Sequence, residues 1–117
     1  MPHCIIEYSK KLENEIDPKL MINAAHQGAL ASGLFEESHI KSRTISYQHY
    51  KTGAKDLRFI HITARILSGR TLEQKADLSQ NILAHFKAIL EGKGLSEISV
   101  TVEVSDMERE AYSKIIL

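Results

Sequence analysis

Tryptophan is absent, cysteine occurs once, proline twice, and neither sign of charge is in excess. Fifteen Lys and Arg residues offset fifteen Asp and Glu, which excludes the basic footprint of a nucleic-acid binder, and no basic amphipathic helix is present to lie on a membrane. A lone cysteine cannot close an internal disulfide, and no apolar run is long enough for a signal peptide or a membrane span. The cytoplasm is therefore the expected compartment. Cys4 falls inside an apolar strand pattern with no base beside it in sequence, so it reads as a small buried hydrophobe rather than a reactive thiol. The six histidines, at positions 3, 26, 39, 49, 61 and 85, show no pair at metal-binding spacing, and no metal site is expected.

What is present suits one compact unit over residues 1–117. A hydrophobic share of 43% supports a modest core, and a chain of this size often completes its burial by self-association. Residues 2–8 alternate as a first strand, with Pro2, Cys4, Ile6 and Tyr8 on one face and His3, Ile5 and Glu7 on the other. The polar stretch 9–16 reads as a loop. Asp17-Pro18 opens a helix through a side-chain cap and a proline at the first helical position. That helix runs to about Ala31 on a narrow face of Leu20, Met21, Ala24, Ala25, Gly28 and Ala31, and Gly33 stops it. Small residues on this face imply close packing.

Residues 40–50 alternate as Ile40, Ser42, Thr44 and Ser46 against Lys41, Arg43, Ile45 and Tyr47, a second strand carrying two cations on one face. A turn over 51–56 leads to the strongest strand pattern, 57–67, with Ile60, Ile62, Ala64 and Ile66 towards the core and Phe59, His61, Thr63 and Arg65 away from it. Arg58 and Arg65 are assigned structural roles, and His61 is read as a hydrogen-bonded strand histidine. Thr71 and Gln74 have capping-box spacing at the start of a second helix, with a buried stripe of Leu72, Ala76, Leu83, Phe86 and Leu90. Gly92 and Gly94 end it, and 97–104 alternates as a fourth strand. The tail from Ser105 carries no clear element.

The order is βαββαβ, an α+β arrangement of two βαβ halves offset by about 54 residues when Asp17 is set against Thr71. A four-stranded sheet with two helices on one face follows, although a ferredoxin-like sheet would show the same order. Pro2 carries a chemical implication. Removal of Met1 would leave a secondary amine at the chain end, a base that needs no side chain, and burial or nearby cations would bring its pKa towards neutrality. A proline that merely begins a strand is the plainer alternative.

Met1-Pro2-His3, the strand 4–8, the cluster Ile40-Lys41-Ser42-Arg43, the strand 59–63 and the turn Ser68-Gly69-Arg70-Thr71-Leu72-Glu73 together resemble the 5-carboxymethyl-2-hydroxymuconate Δ-isomerases of the tautomerase superfamily. The resemblance covers nearly the whole chain. It implies a homotrimer of βαββαβ subunits and a cofactor-independent isomerase, in which the amino-terminal proline shuttles a proton between carbons of a small, anionic, unsaturated carboxylate. Pro2 then matches the catalytic proline, Arg70 the arginine of the Gly-Arg turn, and Lys41 and Arg43 the substrate-binding pair of the second strand. Lys41 departs from the family's Arg-Ser-Arg and presents a point charge where a planar fork is usual. Arg70, just ahead of a helix start, adds to the positive potential of that end. The contrasting possibility is a non-catalytic metabolite-binding module with a ferredoxin-like sheet, which a retained Met1 would favour because it turns the Pro2 amine into an amide.

Overall fold

The computed structural model describes Met1 to Leu117. Strand β1 spans His3–Ser9, helix α1 Pro18–Ala31, β2 Lys41–Tyr47, β3 Arg58–Leu67, α2 Leu72–Gly92 and β4 Ile98–Met107. Both helices begin where the side chains dictate. Asp17 Oδ1 accepts the Lys19 N–H at 2.9 Å, and Thr71 and Gln74 exchange side-chain and backbone hydrogen bonds at 3.1 and 2.9 Å in a complete capping box. Gly33, at φ +74°, follows α1 in the left-handed conformation that glycine adopts without a steric penalty. Neither helix is long and apolar enough to cross a membrane.

The strands lie in the order β2-β1-β3-β4. β1 pairs parallel with β2, β3 pairs parallel with β4, and the two halves meet antiparallel between β1 and β3. Each βαβ unit is therefore unsplit, whereas a ferredoxin-like sheet places another strand between the two strands of a unit. The ferredoxin-like alternative does not hold. Cys4, Ile6 and Tyr8 of β1 and Ile60, Ile62, Ala64 and Ile66 of β3 are buried beneath the helices, as their alternation requires. Pro2 is fully buried as well.

Three expectations are corrected. The buried stripe of α2 is Leu78, Ile82, Phe86 and Leu90, while Leu72 is 80% and Leu83 41% exposed and Ala76 also faces solvent. The apolar positions of this helix occupy two adjacent arcs roughly a quarter turn apart, and close contact with α1 selects the arc at 78, 82 and 86. On α1, Leu20 is 40% exposed and Ala31 is exposed, and Ala29 takes a place in the core. The stretch 9–16 is not a simple loop. Lys10–Asn14 forms a 3-10 helix that buries Leu12, and Ile16 is buried just beyond it. Strand limits follow their partners: β2 stops at Tyr47, opposite Ser9 where β1 ends, and β4 continues to Met107, opposite Leu67.

Gly28 sets the spacing of the helix layer. A Cβ there would stand 2.6 Å from Ile82 Cα and 3.1 Å from Asn81 O, backbone atoms that can yield only by parting α1 from α2. Gly28→Ala gains up to ~1 kcal/mol of helix propensity but incurs an overpacking cost of ~1–3 kcal/mol. A lower urea midpoint is the expected result, and a higher one would show that the helices part freely.

Candidate active site

The start of β1 is held between two strands. The Lys41 N–H donates to the Pro2 carbonyl at 2.9 Å, and His3 sits opposite Lys41 of β2 on one side and Arg65 of β3 on the other. On the sheet face away from the helices, β2 thus sets Lys41 and Arg43 beside His3 and Ile5, and β3 adds Arg65. The segment after β4 runs to the same end. Arg109 Nη2 donates to the Ser68 carbonyl at 3.0 Å, and the Tyr112 hydroxyl lies 2.9 Å from His3 Nε2, its ring edge-on to the imidazole with centroids 5.9 Å apart.

Electrostatics at this end are dominated by cations. Burial first, then Lys41 and Lys114, lower the pKa of the chain-terminal ammonium, whose nitrogen donates to the His39 carbonyl at 2.6 Å. His3 is depressed below its ordinary 6.5 by burial and then by Arg43, with Lys41, the chain terminus and Arg65 acting in the same sense. Arg43 Nη1 stands 3.1 Å from His3 Nδ1. On the helix side of the strand, burial pushes the Cys4 thiol up to about 11, as befits a buried hydrophobe.

Arg70 lies on the other side of this end. Because β3 runs antiparallel to β1, the turn after Leu67 returns to the level of Pro2, and Arg70 leans over the residues that follow α1. Its Nη2 donates to the Leu34 carbonyl at 3.1 Å, and its guanidinium carbon sits 5.4 Å from the Phe35 ring centre. The fold therefore brings Lys41 and Arg43 together with His3 on the open face, and sets Arg70 at the same strand end without a contact to either. Pro2 is at the junction. Surface cavities of about 350, 300 and 600 Å³ lie elsewhere, lined among others by Leu83 and Ile98, by Lys10 and Tyr47, and by Arg58 and Glu97. No group of three or more His, Cys, Asp or Glu side chains comes together in a way that could hold a metal ion.

Arg65, read from the sequence as structural, and Tyr112 and Lys114, which no motif marks, come to the same strand end as His3, Lys41 and Arg43. Arg65 arrives through strand register and the other two through the tail's path, neither of which leaves a spacing signal. Arg58 is structural as expected, paired with Glu15 and donating to the Ser96 carbonyl at 3.0 Å. His61 is hydrogen-bonded to Thr101 at 2.6 Å and Glu103 at 2.8 Å.

His3 should titrate below 6.5, and Arg43→Gln should raise its midpoint without restoring it fully, since burial remains. The folded state favours the neutral ring. Stability from this group is therefore complete above 6.5 and is lost as pH falls through the lowered folded value. NMR titration of the imidazole carbons checks both, and an unchanged midpoint in Arg43→Gln would remove the guanidinium as a cause.

Residues 2–115 match the family model described as 5-carboxymethyl-2-hydroxymuconate isomerase. The Escherichia coli 5-carboxymethyl-2-hydroxymuconate Delta-isomerase is 29% identical over 102 residues, 82% of this chain and 81% of that protein. A crystal structure of a 5-carboxymethyl-2-hydroxymuconate delta-isomerase superposes with a TM-score of 0.83 at 18% identity, over 99% of this chain and 88% of the other. A fused 4-OT described as a symmetric trimer shares the fold at a TM-score of 0.71 and 14% identity, over 92% of this chain and 86% of the other. With its βαββαβ architecture and a family match over almost its full length, the chain belongs to the 5-carboxymethyl-2-hydroxymuconate isomerase family.

Proposed function

We propose that this isomerase uses the amine of Pro2, freed by removal of Met1, to move a proton between carbons of an unsaturated 2-hydroxy or 2-oxo di- or tricarboxylate, without a cofactor. The observation that carries the proposal is the electrostatic setting of the chain end. Burial, Lys41 and Lys114 already depress the ammonium at Met1, and Pro2 is itself fully buried, so a terminus moved to Pro2 meets greater desolvation. Lowering the pKa of the amine in this way raises its unprotonated fraction towards neutral pH, and its conjugate acid can still return the proton.

The chemistry is balanced within substrate and amine. The Pro2 nitrogen takes a proton from an sp³ carbon or an enol oxygen, the electron pair moves through the conjugated system, and the ammonium returns the proton to a different carbon. Negative charge developing on the 2-oxygen and the standing charges of the carboxylates both need cations. Lys41 and Arg43 bind carboxylate on the open face. Arg70 spends one N–H on Leu34 and keeps others for the oxygen that becomes anionic. An open site of this kind fits a homotrimer, in which a neighbouring subunit would cover the exposed sheet face and wall the pocket. The trimeric state of the fused 4-OT with the same fold supports that arrangement.

The experiment is ketonisation of an enol dicarboxylate by three proteins: the trimmed wild type, trimmed Pro2→Ala, and a chain with an uncleavable residue ahead of Pro2. Activity should fall in that order. Pro2→Ala keeps a primary amine and a weakened base, whereas the blocked chain keeps the ring but only an amide, and should reach background while remaining folded. Turnover by the blocked chain at the wild-type rate would exclude Pro2 as the base.

A further inference from the structure

His3 joins two side chains that have no other link. Arginine is a donor only, so the 3.1 Å contact from Arg43 Nη1 requires a lone pair on His3 Nδ1. The ring proton then resides on Nε2 and is donated to the Tyr112 oxygen at 2.9 Å. With its oxygen accepting, Tyr112 has its own O–H free to donate, and accepting a hydrogen bond strengthens it as a donor. Arg43 likewise spends one of its five N–H groups and retains four.

We propose that His3 is a positioning residue that holds Arg43 and Tyr112 as paired donors for one carboxylate of the substrate, with Tyr112 as a specificity-determining contact. This rests on the proposed reading of Lys41 and Arg43 as the carboxylate-binding pair. Both partners need fixing. Arg43 is an exposed, rotamer-rich side chain, and Tyr112 lies beyond the last strand and the short 3-10 turn Arg109–Ala111, on a segment without regular structure. Immobilising them before the ligand arrives lowers the entropy lost on binding. The surrounding charge suits an anion, because Lys41 and Arg65 flank His3 on the adjacent strands and no carboxylate is hydrogen-bonded to the imidazole. Protonating His3 would turn Nδ1 into a donor facing a donor and release Arg43.

Three measurements test this. Long-range ¹H–¹⁵N spectra of the trimmed protein above pH 7 should show His3 protonated at Nε2 and bare at Nδ1, and a proton on Nδ1 overturns the proposal whether or not the protein is active. In steady-state kinetics on the enol dicarboxylate, Tyr112→Phe should raise KM about tenfold with little change in kcat, the effect of one hydrogen bond to a charged group. His3→Asn places Oδ1 near the former Nδ1, keeping the acceptor for Arg43 but losing the donor to Tyr112. It should match Tyr112→Phe, and the double variant should be no worse than either alone. Additive losses, or losses confined to kcat, would make His3 merely structural. Calorimetric binding of adipate, an unreactive dicarboxylate, should weaken in the same pattern. If adipate binding follows the pattern while wild type turns over no enol dicarboxylate, the proline reading fails and this one stands; if adipate binds all variants equally, this one fails alone.

Discussion

The position of β1 between β2 and β3 is the constraint on which the rest depends. A parallel partner on one side and an antiparallel partner on the other fix the register of a seven-residue strand completely. That register decides which side chains meet the chain start. Lys41 and Arg65 are brought opposite His3, Arg43 lies one step further on the same face, and the reversal between β1 and β3 returns the Arg70 turn to the level of Pro2. A one-residue slip would send the cations under the helices and the isoleucines to solvent. The hydrophobic demand of Cys4, Ile6, Ile60, Ile62 and Ala64 therefore also guards the geometry of the charged site.

A chain of zero formal charge can still build a strongly positive corner. Several acidic side chains serve elsewhere: Glu15 on Arg58, Glu103 on His61, Asp106 on Lys75, and Glu7 accepting the Tyr47 hydroxyl at 2.5 Å. Around the chain terminus and His3, the interactions resolved are almost all those of cations. Clustering like charges costs stability, and an anionic ligand removes that cost on binding. The same field favours a neutral amine over an ammonium, so binding an anion and keeping a base unprotonated draw on one arrangement of charge.

Element types and both helix starts were legible because they rest on local rules: alternation in the strands, Asp17-Pro18, and the Thr71-Gln74 box. The rotational phase of α2 was not, since two apolar arcs compete and only the close approach of Gly28 to Ile82 settles between them. The residues proposed for chemistry separate in the same way. Pro2, Lys41, Arg43 and Arg70 occupy positions that a family resemblance marks. Arg65, Tyr112 and Lys114 depend on cross-strand register and on the course of a tail with no periodicity, and a sequence of this kind carries neither.

The central claim is that the β1 terminus makes a base of the proline nitrogen. It is tested most directly by ¹⁵N NMR titration of the Pro2 amine in proline-labelled, trimmed protein, alongside the pH dependence of kcat/KM. The amine should titrate below the ordinary α-amino range of about 7.7–8.0, with the acid limb of the rate at the same midpoint. An amine that titrates in the ordinary range, or a rate indifferent to its protonation, would contradict the account.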